Sequence, residues 1–146
     1  MNRTLLIVIL RIFLGVVFIL AGASKIGNPA AFAEDIDNYR MLPYALVTFL
    51  AIVLPWIEIC AGILLVFGKF LHGAAFTVLV LNMVFIIAIS SALARGLSID
   101  CGCFSPGTGA AKVGVLRLIE DFIFLAIAVY IFRTAHHKAK PSKADF

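Results

Sequence analysis

Four long apolar runs constrain the fold of this chain more than any other feature. A helix needs roughly 20 mostly apolar residues to cross the ~30 Å hydrocarbon core of a membrane, and each run is about that long. A strand interpretation fails because the runs do not alternate between apolar and polar residues, whereas a helix satisfies its own backbone hydrogen bonds in lipid. We therefore predict an all-α integral membrane protein, a bundle of four transmembrane helices. The predicted spans are Thr4–Ser24, Leu46–Phe67, Phe70–Leu93 and Val113–Phe132.

The composition agrees with a chain that contacts the lipid bilayer. It is 63% apolar and 14% charged, whereas an average soluble domain is roughly 45–50% apolar and about 25% charged. The net charge of +4 is not gathered into one basic face, which argues against a nucleic-acid partner. The first apolar run is longer than the usual signal-peptide core of about 7–15 residues, and Arg11 interrupts it, so we expect this span to be retained.

The connectors between the spans differ in kind. Only Gly68 and Lys69 separate the second and third spans, which predicts an antiparallel helical hairpin. In the first connector, Asn28 suits a helix cap and Pro29 a first helical turn, so we predict a short amphipathic helix on the membrane surface. We expect one four-helix transmembrane domain at 1–133 and a basic cytoplasmic tail at 134–146.

Lysine and arginine predict the orientation, because cytoplasmic ends and short loops are enriched in both. An even number of spans puts the two termini and the Gly68–Lys69 turn on one side. This predicts both termini inside a bacterial inner membrane and the third connector in the periplasm. The inner side holds six basic residues and the outer side four: Arg3, Lys69, Arg133, Lys138, Lys140 and Lys143 against Lys25, Arg40, Arg95 and Lys112.

The third connector carries two cysteines separated by one glycine, Cys101 and Cys103. Thiols outside the cytoplasm can form and keep disulfides. A ring this small is strained, and strained disulfides are easily reduced. It is also a poor structural staple, because it closes almost no loop in the unfolded chain. The pair is therefore a candidate catalytic redox pair, with the neighbouring Asp100 as a group that takes or gives a proton.

Other interpretations of the cysteines stay open. Two thiolates can bind Cu(I) or Hg(II), so a soft-metal binding or transport protein is the main alternative. A closed zinc site needs four ligands, and the histidines are predicted on the opposite side of the membrane, so we predict no zinc site. The chain could also be an assembly factor that does not need its thiols, or the cysteines could lie in the loop by chance. We expect Cys60 to pack as a small buried apolar residue.

Ionisable residues within the spans form a second candidate site, because such residues are costly in a membrane and are usually functional or paired. Counted from the outer ends at ~1.5 Å per residue, Arg11, Glu58 and Asn82 lie at about the same depth on three helices. We predict an Arg11–Glu58 ion pair with Asn82 as a third partner, which either fixes the helices or handles protons or a ligand. In the fourth span, we expect Arg117 to pair with an acidic residue at helical spacing, Glu120 or Asp121.

Three sequence stretches together resemble a known family. They are "DCGCF" at Asp100–Phe104, "PWIEICAG" at Pro55–Gly62, and "RIFLGVVFILAGASKI" followed by "NYRMLP". In combination they are similar to the MauE/DoxX group of bacterial redox-associated membrane proteins, over roughly Arg11 to Arg117. The acidic "IED" after Arg117 departs from that pattern.

The resemblance implies a four-helix membrane bundle tied to thiol–disulfide chemistry outside the cytoplasm. MauE-like proteins are associated with disulfide formation during methylamine dehydrogenase maturation, and DoxD-like relatives with passing electrons to quinone. By position, Cys101 and Cys103 match the redox pair and Glu58 the intramembrane acid. The predicted function is a membrane thiol–disulfide oxidoreductase subunit that serves an extracytoplasmic thioredoxin-like protein or a secreted disulfide-containing substrate. A membrane quinone as the further electron carrier is implied by the resemblance alone.

Overall fold

A computed structural model of the chain describes residues 2–95 and 115–139. These residues contain five helices and no strand, so the predicted all-α class is confirmed. The helices, in chain order, are α1 (Arg3–Gly27), α2 (Pro29–Asn38), α3 (Tyr44–Phe67), α4 (Leu71–Ala94) and α5 (Val115–Ala139).

Three of these helices, α1, α3 and α4, are long and apolar enough to cross a membrane, with mean hydropathies of 2.9, 2.5 and 2.4. Large apolar side chains also point outward along them, as at Phe49, Trp56 and Ile87. A continuous apolar outer surface is unfavourable in water but suits a lipid environment. The chain is therefore a multi-pass membrane protein. Helix α5 is not among the three and carries Glu120, Asp121 and Arg133, so the fourth crossing stays a prediction.

Helices α1 and α3 are antiparallel, and their backbones touch at glycines. A Cβ added to Gly15 would lie 2.7 Å from the carbonyl oxygen of Gly62, and one added to Gly62 would lie 2.6 Å from the carbonyl oxygen of Gly15. Gly22 abuts the carbonyl oxygen of Pro55 in the same way, at 2.7 Å. Small residues allow such close approach between membrane helices. These contacts fix the register of α1 against α3.

That register differs from the one obtained by aligning the predicted outer ends of the two spans. Aligned ends would set Gly22 level with Thr48, in the second turn of α3. The structure instead sets Gly22 against Pro55 and Glu58. The contact with Pro55 displaces the register from the predicted one by seven residues of α3, about two helical turns or ~11 Å. Helix α2 follows α1 directly and packs mainly against α3.

Helix α2 begins at the cap and first-turn residues that its sequence predicts. The side-chain oxygen of Asn28 accepts a hydrogen bond from the Ala31 N–H at 3.2 Å, and Pro29 occupies the first turn. One face of the helix buries Phe32 and Asp35 against the bundle. The opposite face exposes its other acidic side chains. Its position on a membrane surface stays a prediction.

The other end of the bundle is closed by the short turn between α3 and α4. Gly68 adopts a left-handed conformation with φ of 71°, and its N–H donates to the Leu64 carbonyl. Helix α5 packs along α4 and continues to Ala139, so the segment predicted as a tail from residue 134 begins as helix. Apolar residues from α1, α3, α4 and α5 form the core: Leu14, Phe18, Ala61, Leu65, Ala74, Ala75, Val78, Leu81, Ala128 and Ile131.

Candidate functional site

A buried ion pair between Lys25 and Glu58 joins α1 to α3. The ammonium Nζ lies 2.6 Å from Oε1 and 2.7 Å from Oε2 of the carboxylate. The side chains are 0% and 1% exposed. A charge alone within a membrane bundle is costly, and contacts to both oxygens let each group compensate the other. Lys25 and Glu58 therefore depend on each other for their place in the interior.

The predicted Arg11–Glu58 pair is wrong. The Arg11 guanidinium lies at the far end of the bundle, where a Cβ added to Gly68 would come 2.8 Å from its Cζ atom. The depth count failed because it aligned the predicted outer ends of the two spans, whereas the glycine contacts displace α3 by about two turns from that register. Lys25, which the orientation count treated as an outward loop charge, lies in the last turn of α1 and is fully buried.

A sequence signal for Lys25 exists in the apolar stripe of α1. Leu14, Phe18 and Ala21 are buried at 0%, 5% and 8% exposure, and their spacing of four and three residues marks one helix face. The next position on that face is Lys25. A lysine in register with a core stripe predicts a buried cation that needs a carboxylate, and Glu58 is the carboxylate within reach.

Two further polar side chains, one from α4 and one from α5, line a cavity together with the ion pair. Lys25, Glu58, Asn82 and Asp121 all line one small cavity of about 30 Å³, and we call these four residues the polar cluster. Asn82 is 1% exposed and Asp121 8%. The structure thus brings together Glu58 and Asn82 of the predicted site, replaces its Arg11 with Lys25, and adds Asp121. Apolar and aromatic side chains complete the cavity wall: Val17, Phe18, Ala21, Phe85 and Phe124.

The amide of Asn82 gives the cavity an unused hydrogen-bond donor. Its Nδ2 atom is buried and has no hydrogen-bond partner among the described residues. Leaving a buried donor unsatisfied costs ~1–3 kcal/mol, and a space of about 30 Å³ exceeds the ~10–15 Å³ that one water requires. The cavity can therefore hold a water that accepts from Asn82. Such a water would lie among a cation and two carboxyl groups, the setting in which protons can be exchanged.

Aromatic rings flank the buried ammonium. The Nζ atom of Lys25 is 5.2 Å from the ring centroid of Phe32 and 5.0 Å from that of Phe85. Ring faces attract cations at these distances, and more strongly where water is excluded. Phe32 is 2% exposed, so α2 covers the ion pair on one side. The inner face of α2 therefore shields the Lys25–Glu58 pair where it packs onto the bundle.

The predicted redox residues Asp100, Cys101 and Cys103 lie outside the described residues. The connector that carries them is attached to the bundle at the end of α4 and at the start of α5, Val115. Asp121 follows Val115 by six residues, or ~9 Å along a helix axis. On α4, Asn82 lies twelve residues, or ~18 Å, before the end of the helix at Ala94. The polar cluster therefore lies inside the bundle, on the two helices from which the connector starts. The predicted pairing of Arg117 also stays a prediction, because the Arg117 side chain is outside the described residues.

A polar contact ties the end of α4 to the segment after α2. The guanidinium of Arg95 donates to the Tyr39 carbonyl oxygen, and its Nε donates to the Ser91 carbonyl oxygen at 3.3 Å. The Tyr39 ring packs beside Ile89 and Ala92 of α4. One attachment point of the cysteine connector is therefore held against the part of the fold that covers the ion pair.

The prediction that Cys60 is buried is wrong. Cys60 is exposed on the outer face of α3, where it lines an apolar groove of about 510 Å³ with Trp56, Leu64 and Thr77. Because α3 is apolar on all sides, its sequence does not distinguish the packed face from the outer face. Among the described residues, no group of three or more His, Cys, Asp and Glu could hold a metal ion. His72 stacks on Phe132 at the opposite end of the bundle, with 4.3 Å between ring centroids.

Comparisons with known proteins identify the family of the chain. Residues 3–133 match the family model described as methylamine utilisation protein MauE. The chain is 33% identical over 123 residues to the methylamine utilization protein MauE of Paracoccus denitrificans, covering 84% of this chain and 66% of the relative. It is 29% identical over 121 residues to the protein of the same name from Methylophilus methylotrophus, covering 82% and 64%.

A third relative with that name, from Methylorubrum extorquens, is 34% identical over 98 residues, covering 66% of this chain and 53% of the relative. The chain thus spans about two thirds or less of the length of these relatives. No solved structure matches it. The family match covers nearly all of the bundle, including the four residues of the polar cluster and the cysteine connector, and on that evidence the chain belongs to the MauE family.

Proposed function

We propose that this MauE-family chain is a membrane thiol–disulfide oxidoreductase subunit whose working groups are Cys101 and Cys103. The observation that carries the proposal is a Cys-Gly-Cys sequence in the connector between α4 and α5 of a chain whose family match includes that connector. The partner is a thioredoxin-like protein, or a secreted protein with disulfides, on the extracytoplasmic side.

The exchange proceeds through a mixed disulfide. A thiolate of the partner attacks Sγ of one cysteine of the Cys101–Cys103 disulfide, and the other cysteine leaves as a thiolate. The second partner thiolate then attacks the mixed disulfide and releases the first cysteine. The partner becomes oxidised, and its two electrons and two protons end on the Cys101 and Cys103 thiols. Asp100 accepts and returns protons beside them, and the reverse sequence reduces the partner.

The buried position of Lys25 supports the proposed orientation. Since Lys25 lies inside the bundle, it no longer counts as an outward loop charge. Three basic residues then remain on the outer side against six on the inner side. Cytoplasmic loops carry the excess of lysine and arginine. With α5 as a fourth crossing, both termini are cytoplasmic and the cysteine connector is periplasmic in a bacterial inner membrane.

The polar cluster contains one residue from each of α1, α3, α4 and α5. The Lys25–Glu58 pair links α1 to α3, and the cavity beside it is completed by Asn82 on α4 and Asp121 on α5. Helices α4 and α5 are the two from which the cysteine connector starts. The cluster therefore brings the two helices that carry the redox connector together with the α1–α3 ion pair, and it supplies buried groups that can exchange protons with a trapped water.

The described residues do not fit a quinone. The outer groove of about 510 Å³ is large enough for a quinone ring but is lined mainly by apolar side chains, and its Thr77 hydroxyl already donates to the Gly73 carbonyl at 2.9 Å. The polar cluster has donors, but its cavity of about 30 Å³ is far below the ~300–1,000 Å³ of typical ligand pockets. No electron transfer through a quinone is derived from these residues, and that step rests on the family resemblance.

Trapping the mixed disulfide tests the proposal. Cys103→Ser and Cys101→Ser variants are expressed in the native host, treated with acid to stop exchange, and alkylated. The variant that keeps the attacked cysteine but lacks the resolving one should accumulate a covalent complex that dithiothreitol releases. Cys60→Ser is the matched control and should trap nothing beyond wild type. Absence of a complex from both variants, while the pair stays reduced in wild-type cells, would overturn the proposed function.

A further inference from the structure

Arg11 is a cation on the membrane-crossing helix α1, and the described residues provide no counter-charge for it. Its Nε atom is buried and has no hydrogen-bond partner among them, and no described carboxylate forms an ion pair with its guanidinium. A charge or donor held away from water without a partner is unfavourable. A buried group of this kind points to a water or ion that completes it.

The surroundings of Arg11 form a groove at the end of the bundle where α1 begins. It has a volume of about 70 Å³ and combines two threonines, Thr4 and Thr134, with apolar side chains. The Thr134 hydroxyl donates to backbone carbonyls within α5, which leaves its oxygen lone pairs but not its proton for other partners. Arg11 is therefore the charged donor of the groove, beside the Thr4 hydroxyl, and the apolar part of the wall consists of Ile7, Val8, Leu71 and Ala135.

The guanidinium lies beside the turn that ends a membrane-crossing helix. It packs against Gly68, the left-handed cap residue at which α3 ends. The end of a membrane-crossing helix lies near the interface, and arginine side chains extend toward that level from deeper positions. Lys69 follows Gly68 and is exposed, so the local field is positive. This charge favours an anion.

We propose that Arg11 and its groove bind the phosphate group of a membrane phospholipid. A guanidinium presents parallel N–H donors that match two phosphate oxygens. The volume suits the phosphate group, while the acyl chains lie outside along the apolar flank of α1 and α4. The phosphate would give Arg11 a counter-charge, as Glu58 gives one to Lys25 farther along α1. The site is independent of the thiol chemistry proposed above.

Thermal unfolding with defined lipids tests the site. The purified, delipidated protein is titrated in detergent with phosphatidylglycerol, with a galactosyl diacylglycerol that has similar chains but no phosphate, and with inorganic phosphate. Phosphatidylglycerol should raise the Tm of the wild type by about 5 °C, because a ligand that binds only the folded state stabilises it. The galactolipid and inorganic phosphate should raise it by much less. Arg11→Gln should lose the increment, and Lys69→Gln, which removes a nearby exposed charge, should keep most of it.

Two outcomes would overturn the proposal. An increment of equal size in Arg11→Gln would show that the lipid acts elsewhere, and an equal increment with inorganic phosphate would assign the groove to a free anion. Val8→Phe keeps the arginine and fills the groove, so it gives a second test should Arg11→Gln not fold. It should lose phosphatidylglycerol counted by native mass spectrometry, and lipid retention at the wild-type level would also contradict the site.

Discussion

Two of the three cations of α1, Arg11 and Lys25, lie in different halves of the helix and are compensated differently. Lys25 is fully buried, with a carboxylate at hydrogen-bond distance and aromatic rings beside it. Arg11 is partly exposed beside a groove, and the described residues give it no carboxylate. A cation inside a bundle must find its counter-charge within the protein, because bulk water and lipid headgroups do not surround it. A cation at the interface can take it from the membrane.

The largest expected effect is loss of the Glu58 charge. In Glu58→Gln, Lys25 stays buried without a counter-charge, and removing one partner of a buried pair typically costs ~3–5 kcal/mol. The free energy of unfolding in detergent measures the loss. Glu34→Gln, an exposed carboxylate on α2, is the matched control and should change little.

A double variant sharpens this test. Lys25→Met with Glu58→Gln removes both charges, so its destabilisation should be smaller than the sum of the two single changes. Strictly additive losses would mean that the two side chains do not interact. If thiol exchange returns with stability in the double variant, the pair has a structural role. If exchange stays impaired although stability returns, one of the two groups also handles protons.

The second expected effect concerns the glycine contacts that set the register. A Cβ at Gly22 would lie 2.7 Å from the Pro55 carbonyl oxygen, so Gly22→Val must push α1 away from α3. Overpacking of this kind costs ~1–3 kcal/mol and should separate Lys25 from Glu58. Thermal unfolding measures it, with Gly73→Ala as the control because nothing lies within 4 Å of a Cβ there. Equal stability of Gly22→Val and wild type would contradict the close packing.

The third expected effect is small. It distinguishes a role of Asn82 in holding a water from a role in the packing of the cavity. Asn82→Leu removes a buried donor that has no partner among the described residues. The change should leave the free energy of unfolding within ~1 kcal/mol of wild type, since an unsatisfied donor stabilises nothing. If the trapped water carries protons, the same variant should slow thiol exchange although its stability is unchanged. Destabilisation as large as that of Glu58→Gln would mean that Asn82 has a strong partner.

The smallest expected effect is that of Arg11→Gln in lipid-free detergent. Without a protein partner for its charge, Arg11 should contribute less than ~1 kcal/mol there, because no ion pair is lost when the charge is removed. Unfolding of the delipidated protein measures this, and Arg3→Gln is a control of equal charge change on the same helix. A loss of unfolding free energy close to that of Glu58→Gln would mean that Arg11, like Lys25, has a strong partner within the protein.

Much of the fold follows from local sequence. The apolar runs predict helices at α1, α3 and α4 because only a helix satisfies its backbone in lipid. Asn28 and Pro29 start α2, and a two-residue connector requires the hairpin at Gly68, where the backbone has a φ of 71° that suits glycine. These features depend on residues close together in the chain. The Cys-Gly-Cys sequence likewise indicates redox chemistry without reference to the bundle.

The candidate site depends on features that are distant in sequence. Glu58 was predicted to need a partner, and it has one, but the partner is Lys25 rather than Arg11. Cys60 was expected inside and lies outside, since an apolar helix surface suits both protein and lipid. The lengths of two helices do not determine the stagger between them.

By itself, the sequence determined that the chain forms membrane-crossing helices, where α2 starts, where the α3–α4 turn lies, and that two thiols occupy a connector. Only the tertiary structure decided which cation meets Glu58. The physical reason is that Gly15 and Gly22 of α1 touch the backbone of α3, and this contact fixes the stagger of the two helices. The stagger sets Lys25 against Glu58 and carries Arg11 to the opposite end of the bundle.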